Sequence, residues 1–211
     1  MKFATEVVAL YSEGDQRFLV TINDRSLAIV YFDRLLIAAG GDPFLPSFEN
    51  NDLPGVISGR AVQALILDDG VLPGRRIACV GNEAEASRLA EIVNGAGGEA
   101  VAVAQQIVRA HGMRHVSAAT VNSATGETRI ECDLIAVCEP PAPSFELARA
   151  AGAQTSWDEK SQFFVVDAND DGQTAAKSIF AAGEVRGPMS EDVAVEQGRR
   201  SALAMAREVT R

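Results

Sequence analysis

Three short runs of β-branched, aromatic and other apolar residues alternate with polar turn residues near the start of the chain. They span residues 6–10, 17–22 and 26–31, and Gly14-Asp15 and Asn23-Asp24 lie between them. Short runs of this kind, separated by turn-forming dipeptides, predict an antiparallel meander. A continuous apolar run over residues 33–39 follows, and it predicts a strand that is buried on both faces.

The middle of the chain changes to a helical period and back. Residues 58–67 place apolar side chains at helical spacing behind Ser58, which predicts a helix with a serine N-cap. A strand over residues 76–81, a helix over residues 83–94 and a strand over residues 99–104 follow. This order within about thirty residues predicts a βαβ unit. We expect its helix to bury four apolar residues: Ala84, Leu89, Ile92 and Val93.

The remaining segments predict a mixture of strands and helices. We expect a hairpin from residues 107–121 and 128–132, buried strands at 134–138 and 178–182, helices at 145–151 and 190–209, and an antiparallel pair within 157–166. Two proline-containing segments interrupt this pattern, one with Pro43, Pro46 and Pro54 and one with Pro140, Pro141 and Pro143. Such segments predict two crossings between domains.

The turn after the strand at residues 76–81 invites comparison with the GxGxxG fingerprint of dinucleotide-binding folds. Gly81 and Asn82 stand at its start, and Ala86 can serve as the small third residue. Glu83 occupies the position of the second glycine, where its side chain and charge oppose a phosphate. The acidic residue expected about twenty positions on, a ribose ligand, is also missing. The sequence therefore makes NAD binding at Gly81 and Asn82 doubtful.

The charge and the cysteines exclude several classes of protein. The formal net charge is -10 over 211 residues, which disfavours nucleic acid and anionic membranes as partners. The apolar stretches are too short to span a bilayer and the start lacks a secretory pattern, so we expect a cytoplasmic protein. Three irregularly spaced cysteines without a CxxC pair predict buried hydrophobic roles rather than disulfides.

The residues point to neither a metal site nor a hydrolase. His111 and His115 are the only histidines, and no cysteine or carboxylate completes a metal-binding set beside them. The VDANDDG segment at 166–172 does not match the spacing of a calcium loop. No serine lies in a GxSxG setting. We therefore expect no metal, and the sequence identifies no catalytic acid or base.

Two predicted buried strands end in short segments of small residues, Ala38-Ala39-Gly40 and Ala182-Gly183-Glu184. They resemble the ATG and AGD motifs of the pyridine nucleotide-disulfide reductase superfamily of FAD/NAD(P) flavoproteins, in which an NAD(P) domain interrupts an FAD domain. Segments 53–66, 71–82, 129–143 and 157–165 are similar to a narrower group. That group comprises the A or alpha subunits of opine oxidases, hydrogen cyanide synthase and heterotetrameric sarcosine oxidase.

The resemblance implies an α/β fold with two parts. An incomplete FAD-type Rossmann domain with an antiparallel meander would span residues 1–52 and 141–211, and a Rossmann-like NAD(P)-type domain would span residues 53–140. The resemblance also implies a set of residues that contact FAD: Ala39, Gly40, Gly183, Glu184 and Val185. Glu184 stands where the family more often has aspartate.

The same resemblance leads to two hypotheses about function. We expect the N-terminal strand, GxGxxG turn and helix that bind the FAD diphosphate in the family to be missing here. The first hypothesis is therefore a subunit or fragment of an FAD-dependent oxidoreductase that oxidises amines or amino acids, in an oligomer with itself or with another flavoprotein subunit. The alternative is a noncatalytic scaffold or interaction subunit whose nucleotide sites have decayed.

Overall fold

The computed structural model describes residues 4–13, 16–123 and 126–209, and its chain divides into two compact units. Unit 1 comprises Met1–Asp42 and Pro141–Arg211, and unit 2 comprises Pro43–Pro140. The first boundary falls at Asp42 rather than at residue 52, because the backbone of Glu49 hydrogen-bonds to Val108 and Ala110 of unit 2. The predicted Gly14-Asp15 turn lies outside the described residues.

Sixteen strands and four α-helices are described in chain order. The first strands are β1 (Glu6–Glu13), β2 (Gln16–Asn23), β3 (Ser26–Tyr31), β4 (Leu35–Ile37), β5 (Gly41–Asp42) and β6 (Val56–Ser58). The next elements are α1 (Gly59–Leu67), β7 (Arg76–Gly81), α2 (Glu83–Gly95), β8 (Glu99–Val103), β9 (Ile107–Gly112), β10 (Val116–Ser123), β11 (Gly126–Glu131) and β12 (Leu134–Cys138). The last are β13 (Ala142–Pro143), α3 (Glu146–Ala150), β14 (Thr155–Asp158), β15 (Phe163–Val166), β16 (Ile179–Ala181) and α4 (Glu191–Val209).

Unit 1 contains the meander and a short parallel pair of strands. Strands β1, β2 and β3 pair in that order and antiparallel, as predicted. Strands β4 and β16 pair in parallel although more than a hundred residues separate them. Their inner face joins α3 in one core, which includes Ile37, Ile179 and Ala181. This pair fixes the position of the segments Ala38-Ala39-Gly40 and Ala182-Gly183-Glu184, because each directly follows one of the two strands.

Unit 2 is a three-layer α/β structure around a parallel sheet. The sheet order is β6-β12-β7-β8, and every pairing in it is parallel. Helices α1 and α2 pack on one face, with Val62 and Leu89 in that core. The antiparallel sheet β9-β10-β11 covers the other face. Strand β12 is therefore buried along its whole length, and the predicted α/β fold class is confirmed.

Local signals explain why the helices of unit 2 begin where they do. Ser58 caps α1, because its hydroxyl accepts a hydrogen bond from the amide of Ala61 at 3.2 Å. Asn82 caps α2 in the same way, through the amide of Glu85 at 3.2 Å. A cap of this kind stabilises a helix by about 1 kcal/mol. The predicted serine N-cap therefore lies where the sequence indicated.

Two local predictions were wrong in detail. Residues 107–121 form two strands, β9 and β10, because Gly112 adopts a φ of +150° and the chain turns back before Val116. In α2 the buried residues are Ala86, Leu89, Ala90 and Val93, whereas Ala84 is exposed. The face that a short helix buries depends on how the helix lies on the sheet. Alanines occur on more than one side of α2, so the sequence did not identify the buried side.

The three cysteines and His111 lie in surroundings that suit packing and hydrogen bonding. Cys79, Cys132 and Cys138 are free and buried, and burial raises the pKa of Cys132 to about 11. The Nε2 atom of His111 lies 2.7 Å from Thr120 Oγ1. Among the described residues, no three His, Cys, Asp or Glu side chains are placed to hold a metal ion. None of the described helices has the length and apolar character needed to cross a membrane.

Ser201 on α4 gives a stability prediction. Its side chain is fully buried, and its hydroxyl has no hydrogen-bond partner among the described residues. An unsatisfied buried hydroxyl costs about 1–3 kcal/mol. We expect Ser201→Ala to raise the free energy of unfolding of unit 1 by about 1 kcal/mol in a urea titration followed by fluorescence of Trp157, the single tryptophan. Ser156→Ala, which removes a hydroxyl bonded to Asp167, should not stabilise the unit; equal effects of the two variants would contradict the assignment.

Candidate functional site

The carboxyl ends of β4 and β16 form one edge in unit 1. Leu35 pairs with Ile179 and Ile37 pairs with Ala181, and the amide of Ala182 donates to the carbonyl of Ile37 at 3.1 Å. Because parallel strands end at the same edge of a sheet, the segments after them emerge side by side. The structure therefore brings Ala39 and Gly40 next to Gly183 and Glu184, which the sequence placed far apart.

Two glycines open this edge to a ligand. Gly40 and Gly183 adopt φ angles of +74° and +77°, a region that other residues adopt only with strain. A Cβ atom on Gly40 would lie 3.9 Å from Glu184 Oε2. The carboxylate of Glu184 thus faces the open side of Gly40, and a ligand that contacts the Gly40 backbone would also meet this acid.

The turn after β16 is held by α4. The amide of Gly183 donates to Gln197 Oε1 at 3.1 Å, and a 3₁₀ helix over Gly183–Arg186 follows. Ala39 is exposed and Glu184 is half-buried, so both are accessible. The Val185 side chain is fully buried in the core of unit 1. Of the predicted FAD contacts, Val185 can therefore contribute only backbone atoms.

The chemistry of the edge suits some groups of a nucleotide cofactor better than others. A carboxylate beside an open glycine backbone suits the hydroxyl groups of a ribityl chain, which donate hydrogen bonds to anionic oxygens. A diphosphate instead needs a glycine-rich turn that leads from a strand into a helix N-terminus. Among the described residues of unit 1, no such turn accompanies β4. The edge therefore offers a carboxylate and an open glycine backbone, which suit a ligand that carries hydroxyl groups.

The predicted dinucleotide turn of unit 2 has the expected backbone conformation, but its polar groups differ from those of a phosphate-binding turn. Gly81 ends β7 with a φ of +129°, and Ala86 is fully buried, as a small third residue should be. Asn82 uses its side chain to cap α2 rather than leaving the amide of Glu85 free. Glu83 and Glu85 both lie in the first turn of the helix. The helix N-terminus is therefore already supplied with negative charge.

Glu139 is a further part of this turn that the sequence analysis missed. It follows β12, whose Cys138 pairs with Gly81, and the amide of Asn82 donates to the Cys138 carbonyl at 3.0 Å. A Cβ atom on Gly81 would lie 2.9 Å from Glu139 Oε1. Burial raises the pKa of the Glu139 carboxyl. The position after β12 was a detectable signal, because ligands of open α/β sheets bind at the carboxyl ends of neighbouring strands.

A cavity of about 280 Å³ also lies in unit 1, between α4 and the segment before β16. Its lining includes Arg186, whose Nη2 atom donates to the Ala168 carbonyl at 3.0 Å. It also includes Glu196, which is paired with Arg199 at 2.8 Å and with Arg200 at 3.4 Å. Exposed pairs of this kind are usual on a solvated helix face, and we assign no ligand to this cavity.

Comparisons with known proteins agree with this architecture. No protein-family model matches the chain. An NADH oxidase from Methanocaldococcus jannaschii is 23% identical, and the match covers 72% of this chain and 40% of that protein. The L-proline dehydrogenase from P. horikoshii superposes with a TM-score of 0.72 at 19% identity, over 86% of this chain and 36% of that one. The T. acidophilum thioredoxin reductase gives a TM-score of 0.69 at 14% identity, over 98% of this chain and 74% of that one.

These similarities define the fold and the extent of the match. The chain spans 40% of the length of the NADH oxidase and 36% of the proline dehydrogenase chain. Identities of this size support a shared architecture and leave activity to the site residues. The chain therefore has an α/β fold with a parallel sheet and a Rossmann-like architecture, of the kind found in FAD- and NAD(P)-binding proteins.

Proposed function

We propose that this chain is part of an FAD-dependent oxidoreductase that oxidises an amine or an amino acid. The observation that carries the proposal is the edge of unit 1, where Glu184 faces the open backbone of Gly40. This arrangement needs two strands distant in sequence to pair in parallel and two glycines with positive φ. A noncatalytic scaffold needs the paired strands for its core, but it has no need of a carboxylate that faces an open glycine backbone.

Each residue at the edge has a defined task in the proposal. When bound, FAD supplies the hydride acceptor, and the protein positions it. Glu184 accepts hydrogen bonds from the ribityl hydroxyls, and Gly40 permits the close approach. Gln197 holds the Gly183 amide and so fixes the turn that carries Glu184. Glu191 and Asp192 lie in the first turn of α4, where negative charge stabilises the helix dipole.

The class of substrate and the partner rest on similarity. One structural relative is an L-proline dehydrogenase, an enzyme named for an amino-acid substrate. The sequence segments that resemble opine and sarcosine oxidase subunits favour the same class. Because no glycine-rich turn leads from β4 into a helix among the described residues, we propose that a further flavoprotein segment or subunit completes the FAD site. FAD would then bind stoichiometrically only in the assembled oxidoreductase.

The test is the flavin content of the native complex. An affinity tag on the chromosomal copy allows the complex to be isolated, and its absorbance near the flavin band and its mass spectrum report cofactor and partner together. We expect FAD in the wild-type complex and a loss of affinity of about 10- to 100-fold in Glu184→Ala, the usual effect of losing a charged hydrogen bond. Glu184→Asp should retain most of the FAD.

The control is Glu159→Ala, which removes an exposed glutamate from the turn between β14 and β15. It makes the same change in charge far from the motif in sequence and should leave the FAD content unchanged. A colourless wild-type complex would support the scaffold hypothesis instead. Full FAD content in Glu184→Ala would remove Glu184 from the site.

A further inference from the structure

The turn between β7 and α2 is where the fold family binds a nicotinamide dinucleotide. In such a site the phosphates approach the backbone of the turn and accept hydrogen bonds from free amides at the helix N-terminus. Here the Asn82 side chain accepts a hydrogen bond from the Glu85 amide at 3.2 Å. The first turn of α2 therefore has fewer free donors for a phosphate.

Two carboxylates from different elements reach this turn. Glu83 occupies the position at which the fingerprint needs its second glycine. Glu139 arrives from the end of β12, and its Oε1 atom would lie 2.9 Å from a Cβ atom on Gly81. Gly81 itself must stay free of a side chain because the Cys138 carbonyl oxygen would lie 3.0 Å from the same Cβ. One acid thus follows Asn82 in the chain, and the other lies against Gly81, the residue before Asn82.

The carboxylates take over a role that a bound phosphate has in related folds. The N-terminus of a helix carries a partial positive charge, which nearby anions stabilise. Glu83 and Glu85 in the first turn supply that negative charge from within the chain. Glu139 is half-buried at this position, and its burial raises the pKa of the carboxyl. A phosphate that entered would have to displace or approach like charges.

The ribose end of the site is equally unsuited to the ligand. In dinucleotide-binding folds the strand after the helix ends near a carboxylate for NAD or an arginine for NADP. Strand β8 ends at Val103 and is followed by Ala104 and Gln105. Neither residue carries a charge. The adenosine ribose therefore meets no ionic partner after β8.

We infer that unit 2 excludes NADH and NADPH, and that Glu139 acts together with Glu83 as the residue pair that determines this exclusion. The inference concerns unit 2 alone and does not depend on flavin binding by unit 1. Combined with the proposed function, this exclusion implies that the flavin is reduced by the amine or amino acid that is oxidised, and not by a nicotinamide bound at Gly81.

Calorimetric titration with NADH and with NADPH tests the inference. We expect no binding by the wild-type protein up to about 1 mM ligand, a concentration that corresponds to the weakest specific affinities. Glu83→Gly and Glu139→Ala should each remain weak, because one carboxylate is left. The double variant should bind at least tenfold more tightly than either single variant. Circular dichroism would verify that every variant is folded, and Glu83→Gly with Glu139→Gln serves if the first double variant is not.

The matched control is a double variant, Glu99→Ala with Glu127→Ala. It removes the same two charges from unit 2 but at the start of β8 and on β11, so it reports the effect of net charge alone. Micromolar binding of NADH by the wild-type protein would overturn the inference. Equal binding by the site variant and the control would also overturn it. Neither outcome bears on the FAD content that tests the proposed function.

Discussion

Replacing Phe180 with alanine is expected to lower the free energy of unfolding of unit 1 by about 3–5 kcal/mol, the usual cost of truncating a buried phenylalanine. Phe180 is the central residue of β16 and is 1% exposed. Ile179 and Ala181 belong to the core on one face of the strand, and Phe180 points to the opposite face because side chains alternate along a strand. Its removal leaves a cavity that close-packed neighbours refill only in part.

The effect can be measured separately in unit 1. Trp157 is the single tryptophan of the chain and lies in β14 of that unit, so its fluorescence during urea titration reports unit 1 and not unit 2. With an m-value of about 1–3 kcal/mol/M, the midpoint should fall by about 1 M or more. Leu203→Ala, at a side chain that is 45% exposed, should change stability by less than about 0.5 kcal/mol. Coincident midpoints for Phe180→Ala and the wild type would show that Phe180 is not part of the cooperative core.

The second large effect is expected for Gly172→Ala, at about 2–5 kcal/mol of destabilisation. Gly172 has a φ of +79°, which costs an alanine about 1–2 kcal/mol. A Cβ atom there would clash with Ser201 Oγ and would lie 2.8 Å from the Ala181 carbonyl oxygen. Overpacking of this kind adds about 1–3 kcal/mol. The Gly172 carbonyl also accepts a hydrogen bond from the Ala181 amide at 2.7 Å, so a shift of the backbone would disturb β16.

Gly152→Ala separates the two causes. Gly152 lies in the same unit with a φ of +90°, and a Cβ atom there would come no nearer than 3.7 Å to Ala176 Cβ. Gly152→Ala introduces the backbone strain without the clash, so the free energy of unfolding of unit 1 should fall by only about 1–2 kcal/mol. The difference between the two variants, read from the same Trp157 titration, measures the clash. Equal losses would mean that the chain at Gly172 relaxes without cost.

The Phe180→Ala and Gly172→Ala variants both bear on the proposed FAD site through β16. This strand leads into Gly183 and Glu184, and the Gly183 amide is held by Gln197 of α4. Gly172 and Phe180 belong to neither motif, so a fall in FAD content in either variant would report loss of the supporting strand. Glu184→Ala should reduce FAD affinity with no comparable change in the urea midpoint. The two measurements together distinguish a positioning strand from a ligand-binding carboxylate.

Much of the architecture was accessible from local patterns. Strands β7 and β12 begin and end at the predicted residues, because continuous apolar runs between turn residues leave few alternatives. The N-cap of α1 follows from Ser58 in the same way. The division of residues 107–121 into β9 and β10 was not predicted. The chain turns back after Gly112. The β-prone residues on both sides of that turn read as one continuous strand in the sequence.

The candidate sites depended on information of two kinds. Gly40, Gly183 and Glu184 were identified because their motifs resemble those of a known superfamily. Their contact across the sheet edge required the pairing of β4 with β16. Glu139 lay outside the fingerprint that was compared, and nothing in the segment around Gly81 pointed to it. Only the register of β12 with β7 places its carboxylate against that glycine.

By itself, the sequence determined most of the strands and helices, the serine N-cap of α1, and that Glu83 replaces a glycine at the dinucleotide turn. These properties depend on neighbours within a few residues, so a local pattern contains them. The tertiary structure decided which strand ends lie side by side, and thereby brought Glu184 to Gly40 and Glu139 to Gly81. Such contacts join residues 58 to 144 positions apart, and their geometry is set by sheet register and packing rather than by local propensity.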